Sequence, residues 1–284
     1  MKKKLIAIAV ATASVMSGVG VANAESGWQT AGTGGRIDIG GTITVENIYD
    51  DLWQWKLGDA IDLANTASDM TNENKTLTVT MTDRKPLLVG KSETFKTAAA
   101  GMGASPSISF TDADGDKVEL ETPDSSSNGE ARLTLPIKDK AQSTIGSLEL
   151  NVTALGIMYS QAYINASYSA PHKMVAPNEG DIFHGGLPSK INAGGGSSSH
   201  ANKIAADGGW SINDMKTKYD AHTGTSRAWA SSNNSYRSTG TERDGIYTYS
   251  MAIDAGQQLV ANFTSPVTTT TQWSAPLNIA ITYN

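Results

Sequence analysis

The chain has 284 residues, with 22 Lys and Arg against 28 Asp and Glu, a net charge of −6, and no cysteine. That length can bury a sizeable core without covalent staples, and the lack of cysteine excludes disulfides and thiol chemistry. The acidic balance argues against nucleic acid as a partner, because phosphate binding needs clustered Lys and Arg.

Lys2, Lys3 and Lys4 precede an apolar run over residues 5–15 and the small residues Ala22, Asn23 and Ala24. This is the pattern of a secretory signal peptide over residues 1–24, with a mature chain starting at Glu25. The apolar run is too short for a membrane span. Cleavage removes three lysines and no acid, so the exported chain carries −9.

After a Gly- and Thr-rich stretch comes RIDIGGTIT. Ile37, Ile39 and Ile43 alternate here, with Gly41 in the same register, and the spacing predicts an apolar strand. Trp53 and Trp55 alternate with Gln54 and Lys56 in the next one. Strands are predicted over 77–81, 86–89, 107–111, 117–120, 131–137 and 147–155, separated by turn residues such as DADGD at 112–116. Many short strands punctuated by turns indicate a β-sandwich.

From 171 to 244 the alternation fades and Gly, Ser, Asn, His and aromatics rise. GGGSSS at 194–199 reads as flexible, and 213–221 as a short helix. Strands return over 245–253 and 258–263, so 171–244 is expected to be an insertion within the sandwich. The chain closes on Leu277, Ile279, Ile281 and Tyr283, which alternate with Asn278, Ala280 and Thr282. A terminal apolar strand is an aggregation hazard unless another chain completes it.

Local motifs offer little chemistry. VGKS at 89–92 resembles the end of a phosphate loop, but Lys85 stands where the first glycine is required. Asp112, Asp114 and Asp116 suggest a calcium loop, yet Lys117 occupies the glycine position, so a hairpin turn is the better reading. His172, His184, His200 and His222 form no pair at ligand spacing, and there is no G-x-S-x-G elbow. No enzyme, cofactor or metal site is expected. Trp210, Tyr219, Trp229, Tyr236 and Tyr247 lie among polar residues of the insertion and its boundary. Aromatic faces backed by hydrogen-bonding groups suit sugar recognition, and Trp210, Tyr219, Trp229 and Tyr236 are the candidates. The competing reading is that these rings form the small core of the insertion.

Complementary apolar strands thus sit at opposite ends of the exported chain, as in a pilin assembled by a chaperone and usher. IDIGGTIT at 37–44, WQWKLG at 53–58, KPLLVGK at 85–91, ISFTD at 108–112, IFHGGL at 182–187 and TQWSAPLNIAITY at 271–283 together resemble the FaeG-type major fimbrial subunits of enterobacteria, which act as both shaft and adhesin. The resemblance implies an all-β, immunoglobulin-like sandwich lacking its last strand, completed by a neighbour. It divides the chain into a signal peptide (1–24), a donor-strand extension (25–46), the first part of the sandwich (47–170), an inserted receptor-binding lobe (171–244) and the C-terminal strands (245–284). It makes Ile37, Ile39, Gly41 and Ile43 the donor positions, and Leu277, Ile279, Ile281 and Tyr283 the groove edge that also meets the chaperone. It implies other copies of this chain, a periplasmic chaperone, an outer-membrane usher and a host glycoconjugate as partners, and the cell-surface fimbria as location. The aromatic and arginine with which the FaeG-type adhesin helps hold sugar fall on Val175 and Gly180. Neither side chain can do that work, so those sugar contacts are not carried over.

Overall fold

The computed structural model describes residues 34–37, 41–45, 52–96, 104–123, 128–162, 165–189, 197–230, 235–237 and 244–283, with 34–37, 41–45, 96 and 235–237 by backbone alone. The signal segment and Ile39 lie outside the described residues.

Among the described residues, two sheets enclose one main core. The smaller has five strands, in the order Gly34–Ile37, Gly41–Val45, Asn278–Tyr283, Pro106–Thr111 and Lys117–Val118. The larger is organised around one long strand, Thr144–Gln161. Along one edge this strand pairs with Glu130–Asp139 and then with Tyr168–Val175. Along the other it pairs with Gln258–Phe263 and then with Asp244–Ile253, which continues to Lys85–Ser92 and Trp53–Leu57. Ile108, Phe110, Ile279 and Ile281 from the small sheet and Leu88, Leu133, Leu150 and Met251 from the large one are all at most 2% exposed and share that core. Each such side chain contributes about 1.5–3 kcal/mol by leaving water. The architecture is the all-β sandwich expected from the strand pattern, of the immunoglobulin-like kind that the resemblance implies.

Trp53 and Trp55 both point inward, as their spacing predicts, and stack with ring centroids 5.8 Å apart. Phe95, Phe183, Tyr247 and Tyr249 complete an aromatic cluster around them. The indole of Trp53 donates to the Ala104 carbonyl at 2.8 Å, and that of Trp55 to the Tyr283 hydroxyl at 2.9 Å. Both buried donors are therefore satisfied.

Three expectations need correction. Residues 37–43 do not form one strand: 34–37 and 41–45 are the arms of an antiparallel hairpin in which Ile37 faces Gly41. Strand structure continues past 171, because Tyr168–Val175 belongs to the large sheet. Its outer partners touch only 168–169 and 173–175, leaving a gap that contains Pro171, which has no N–H to give. Thirdly, Ser197 to Ser199 open a helix, Ser197–Ala206, rather than a flexible run.

IFHGGL also changes meaning. Ile182 and Phe183 are fully buried in the main core, and the stretch is clipped to the small sheet. Phe183 N donates to the Pro106 carbonyl at 2.7 Å, and Ile108 N donates to the His184 carbonyl at 2.8 Å. Phe183 takes φ 66°, a conformation a bulky residue holds only when its surroundings dictate it. Gly185 follows at φ 79°, where a Cβ would lie 2.2 Å from the Ile108 carbonyl oxygen. This part of the expected insertion belongs to the main core.

Candidate functional site: the assembly edge and the inserted lobe

The C-terminal strand has two edges. One pairs antiparallel with Pro106–Thr111 over six registered residues, from Asn278–Thr111 to Tyr283–Pro106. The other carries the N-terminal hairpin in parallel, with Ile43 opposite Ile279, Thr44 opposite Ala280 and Val45 opposite Ile281. Alternation along the strand sends Leu277, Ile279 and Ile281, each at most 2% exposed, into the core. Tyr283 is half-buried, and its hydroxyl accepts from Trp55. Burial pushes that hydroxyl up to about 12, so the phenol stays protonated at neutral pH. Of the named donor positions, Ile37 lies on the outer arm of the hairpin, and Gly41 and Ile43 on the arm beside the C-terminal strand.

The lobe is built on the opposite, larger sheet. Two helices, Ser197–Ala206 and Ile212–Thr223, pack onto its outer face. The second is delimited by chemistry legible in sequence. Ser211 accepts from Asp214 N at 3.1 Å while Asp214 reaches back to Ser211 N, and Gly224 closes the helix at φ 64°. The helices bury Ala201, Ile204, Met215 and Tyr219 against Leu155, Ile157, Tyr159 and Ile246, making a second core.

A charge cluster ties the lobe to the sandwich. Arg84, in the loop before Lys85–Ser92, holds Asp207 at the end of the first helix by Nε at 3.0 Å and by Nη2 at 2.7 Å, and also pairs with Asp254. Asp254 in turn accepts from Lys203 Nζ at 2.8 Å and from Thr153 Oγ1 at 2.9 Å. Burial works to raise the Asp254 pKa, but the bonds from Lys203 and Thr153 and the charge of Arg84 outweigh it and leave it lowered. Beside this cluster lies a polar cavity of about 180 Å³, whose lining includes Glu130, Thr153, His200, Lys203 and Asp254. His200 is 2% exposed, and neither ring nitrogen has a partner among the described residues. Burial, with Lys173 and Lys203 nearby, pushes the imidazole down to about 4.

Trp210, Tyr219 and Trp229, three of the four candidate sugar-stacking rings, stand in different surroundings. Tyr219 is core: it is 2% exposed, meets Tyr159 edge-on at 5.8 Å, and accepts from Gln161 N at 3.0 Å. Trp210 donates to the Ser92 carbonyl at 2.8 Å, and its ring carries Lys91 Nζ at 4.2 Å and Lys218 Nζ at 4.7 Å from the centroid. Two ammonium groups therefore already use that π-system. Lys91, the lysine of VGKS, belongs to a strand rather than a phosphate loop; burial and Lys218 lower its pKa to about 8. Tyr236 lies on the short strand Ser235–Arg237, at the register position opposite Met174. Trp229 is 47% exposed, on Ala228–Trp229 at the edge of Tyr168–Val175.

Tyr168, 38% exposed, escaped the sequence reading because it lies just before the expected insertion. It stands opposite Ala228, whereas Trp229 stands opposite Ser169, so pleating puts the two rings on opposite faces of this edge. The aspartates of DADGD form a turn. Asp112 Oδ1 accepts from Asp114 N at 2.9 Å and from Asp116 N at 3.0 Å, while Asp114 pairs with Lys138 at 2.5 Å.

The sequence that builds this sandwich and its lobe matches known proteins along its whole length. The family model described as "Fimbrial, major and minor subunit" covers residues 1–284. The chain is 36% identical to K88 fimbrial protein AC and 35% identical to K88 fimbrial protein AD of Escherichia coli, in each case over 100% of both chains. It is 25% identical to the F41 fimbrial protein of the same organism, again over both full lengths. The chain therefore belongs to the family of major and minor fimbrial subunits, structural proteins of the cell-surface fimbria rather than enzymes.

Proposed function

We propose that this subunit is exported by its N-terminal signal, handed by a periplasmic chaperone to an outer-membrane usher, and polymerised by donor-strand exchange. In that exchange the segment carrying Ile37, Ile39, Gly41 and Ile43 of one copy completes the sheet of the next. The observation that carries the reading is the C-terminal strand. Its apolar face is locked into the core, and the edge away from Pro106–Thr111 takes a strand from the far end of the chain. A donor strand there supplies main-chain hydrogen bonds along the edge. Ile43→Asp tests it: folded chains should no longer form fibres. Wild-type fibre yield from this variant would overturn the joint.

The fimbria also attaches to host glycoconjugates through the lobe, in the same proposal. Trp229 supports this, as the one candidate ring among the four that is described as widely exposed. Trp229→Ala should abolish binding on a glycan array without loss of fibres; unchanged binding would count against that ring. The purely structural shaft reading has its own support, since Trp210 and Tyr219 are engaged in packing. A folded, polymerised sample that binds no glycan would favour it.

A further inference from the structure

The polar cavity of about 180 Å³ where the first lobe helix meets the sandwich serves neither the assembly edge nor the exposed ring of Trp229. We propose that it is a binding site for one small, neutral, hydroxyl-rich molecule, of the size and chemistry of a single sugar ring. The site goes beyond the receptor reading, since a free molecule of that kind occupies it whether or not Trp229 grips a glycan.

The strongest observation is His200. It is 2% exposed and lines the cavity, and neither ring nitrogen has a hydrogen-bond partner among the described residues. Buried polar groups are satisfied as a rule, so two orphans on one ring call for a partner. The cavity has more than ten times the roughly 15 Å³ that one water needs, yet falls below the roughly 300–1,000 Å³ of sites for drug-sized ligands. That size suits one ring and not a chain of them.

Charge decides the class. Lys203 pairs with Asp254 at 2.8 Å in the wall, and Arg84 is balanced by Asp207 and Asp254 beside them. An anion entering here would face the carboxylates of Asp254 and Glu130, and a cation would face Lys203. A neutral molecule meets neither penalty. Hydroxyls suit the wall because each both donates and accepts. The carboxylates accept, Lys203 and the Asn128 amide donate, and His200, kept neutral by burial, offers one nitrogen of each kind. Glu130 and Thr153 belong to the large sheet, and Ser199, His200 and Lys203 to the helix. A bound molecule therefore bridges lobe and sandwich, and it should slow local opening of the helix.

Equilibrium dialysis of the full chain against glucose, galactose, mannose and N-acetylglucosamine tests the site. At least one should bind saturably, one molecule per chain, and slow amide exchange over 197–206, while inorganic phosphate and ethanolamine do neither. Glu130→Ala, at an exposed position, and His200→Phe, which keeps a ring but removes both nitrogens, should each weaken that binding about tenfold. Exchange over 130–139 reports whether each variant is folded; if His200→Phe is not, Glu130→Ala decides. No saturable binding by any of the four sugars, binding of phosphate or ethanolamine in their place, or unchanged affinity in every folded variant would overturn the site. A glycan array that fails for the Trp229 reading leaves it standing.

Discussion

The two halves of the long strand bury themselves differently. Over residues 146–152 burial alternates: Leu148, Leu150 and Val152 enter the main core, while Ser147, Glu149 and Asn151 lie half-covered. Over 153–160 every residue is buried, because Ala154 and Met158 face the main core while Leu155, Ile157 and Tyr159 face the helices. The first half belongs to a thick sandwich core with an aromatic centre. The second also supports a lobe whose own core has eight buried residues and leans on the Arg84, Asp207, Lys203 and Asp254 cluster. A fold tied together this way should lose its lobe before it loses its sandwich.

The strongest challenge to that contrast is Trp53→Ala. It empties the centre of the aromatic cluster and should cost about 3–5 kcal/mol, with sandwich and lobe melting together in urea. Survival of the sandwich with little change in midpoint would break the comparison.

Acid should act on the lobe alone. The His200 pKa is lowered in the folded state, so the unfolded chain takes up more protons between the ordinary histidine value and about 4. Stability is therefore complete above about pH 6.5 and falls through that window, by about 3 kcal/mol in all. Amide exchange over 197–223 should quicken on acidification while 130–139 stays protected, and His200→Gln should flatten the response. A pH-independent lobe in the wild type would remove this difference between the regions.

Arg84→Met leaves Asp207, whose side chain is 3% exposed, without its cation. The clamp is partly open to water, so we expect a loss of about 2 kcal/mol rather than the full cost of a broken buried pair. The loss should appear in the exchange of 197–223 and not in the main strands. The smallest effect should come from Tyr283→Phe, which deletes the acceptor for Trp55 and should cost about 1 kcal/mol in urea titrations. No change there would show that the bond adds little to strand register.

How legible each region was follows from the same contrast. One-faced burial writes alternation into a sequence, which is why the strands at 76–80, 85–92, 106–111, 130–139 and 278–283 could be read within a residue or a few of their bounds. The strand 168–175 could not. It buries Ser169, His172 and Lys173 alongside apolar residues, so no period of two survives. The first helix was hidden by its Gly- and Ser-rich start. Its inward stripe of Ser197, His200, Ala201 and Ile204 has helical spacing but little apolar content. The rings proposed for sugar binding were ambiguous for a related reason. Aromatics among polar neighbours mark either a wet stacking face or a small core set under polar helices, and Tyr219 proved to be the second.

The separation of the two sheets has a mechanical consequence. In a fibre joined as proposed, tension from flowing fluid enters each subunit through residues 34–45 and 278–283, whose strands lie in the five-stranded sheet. The helices are mounted on the other sheet, away from that line of force. Stretching the shaft should therefore strain the joint while the lobe keeps its shape, and if the lobe grips a surface as proposed, that surface feels a pull transmitted by the fibre rather than a distortion of the grip.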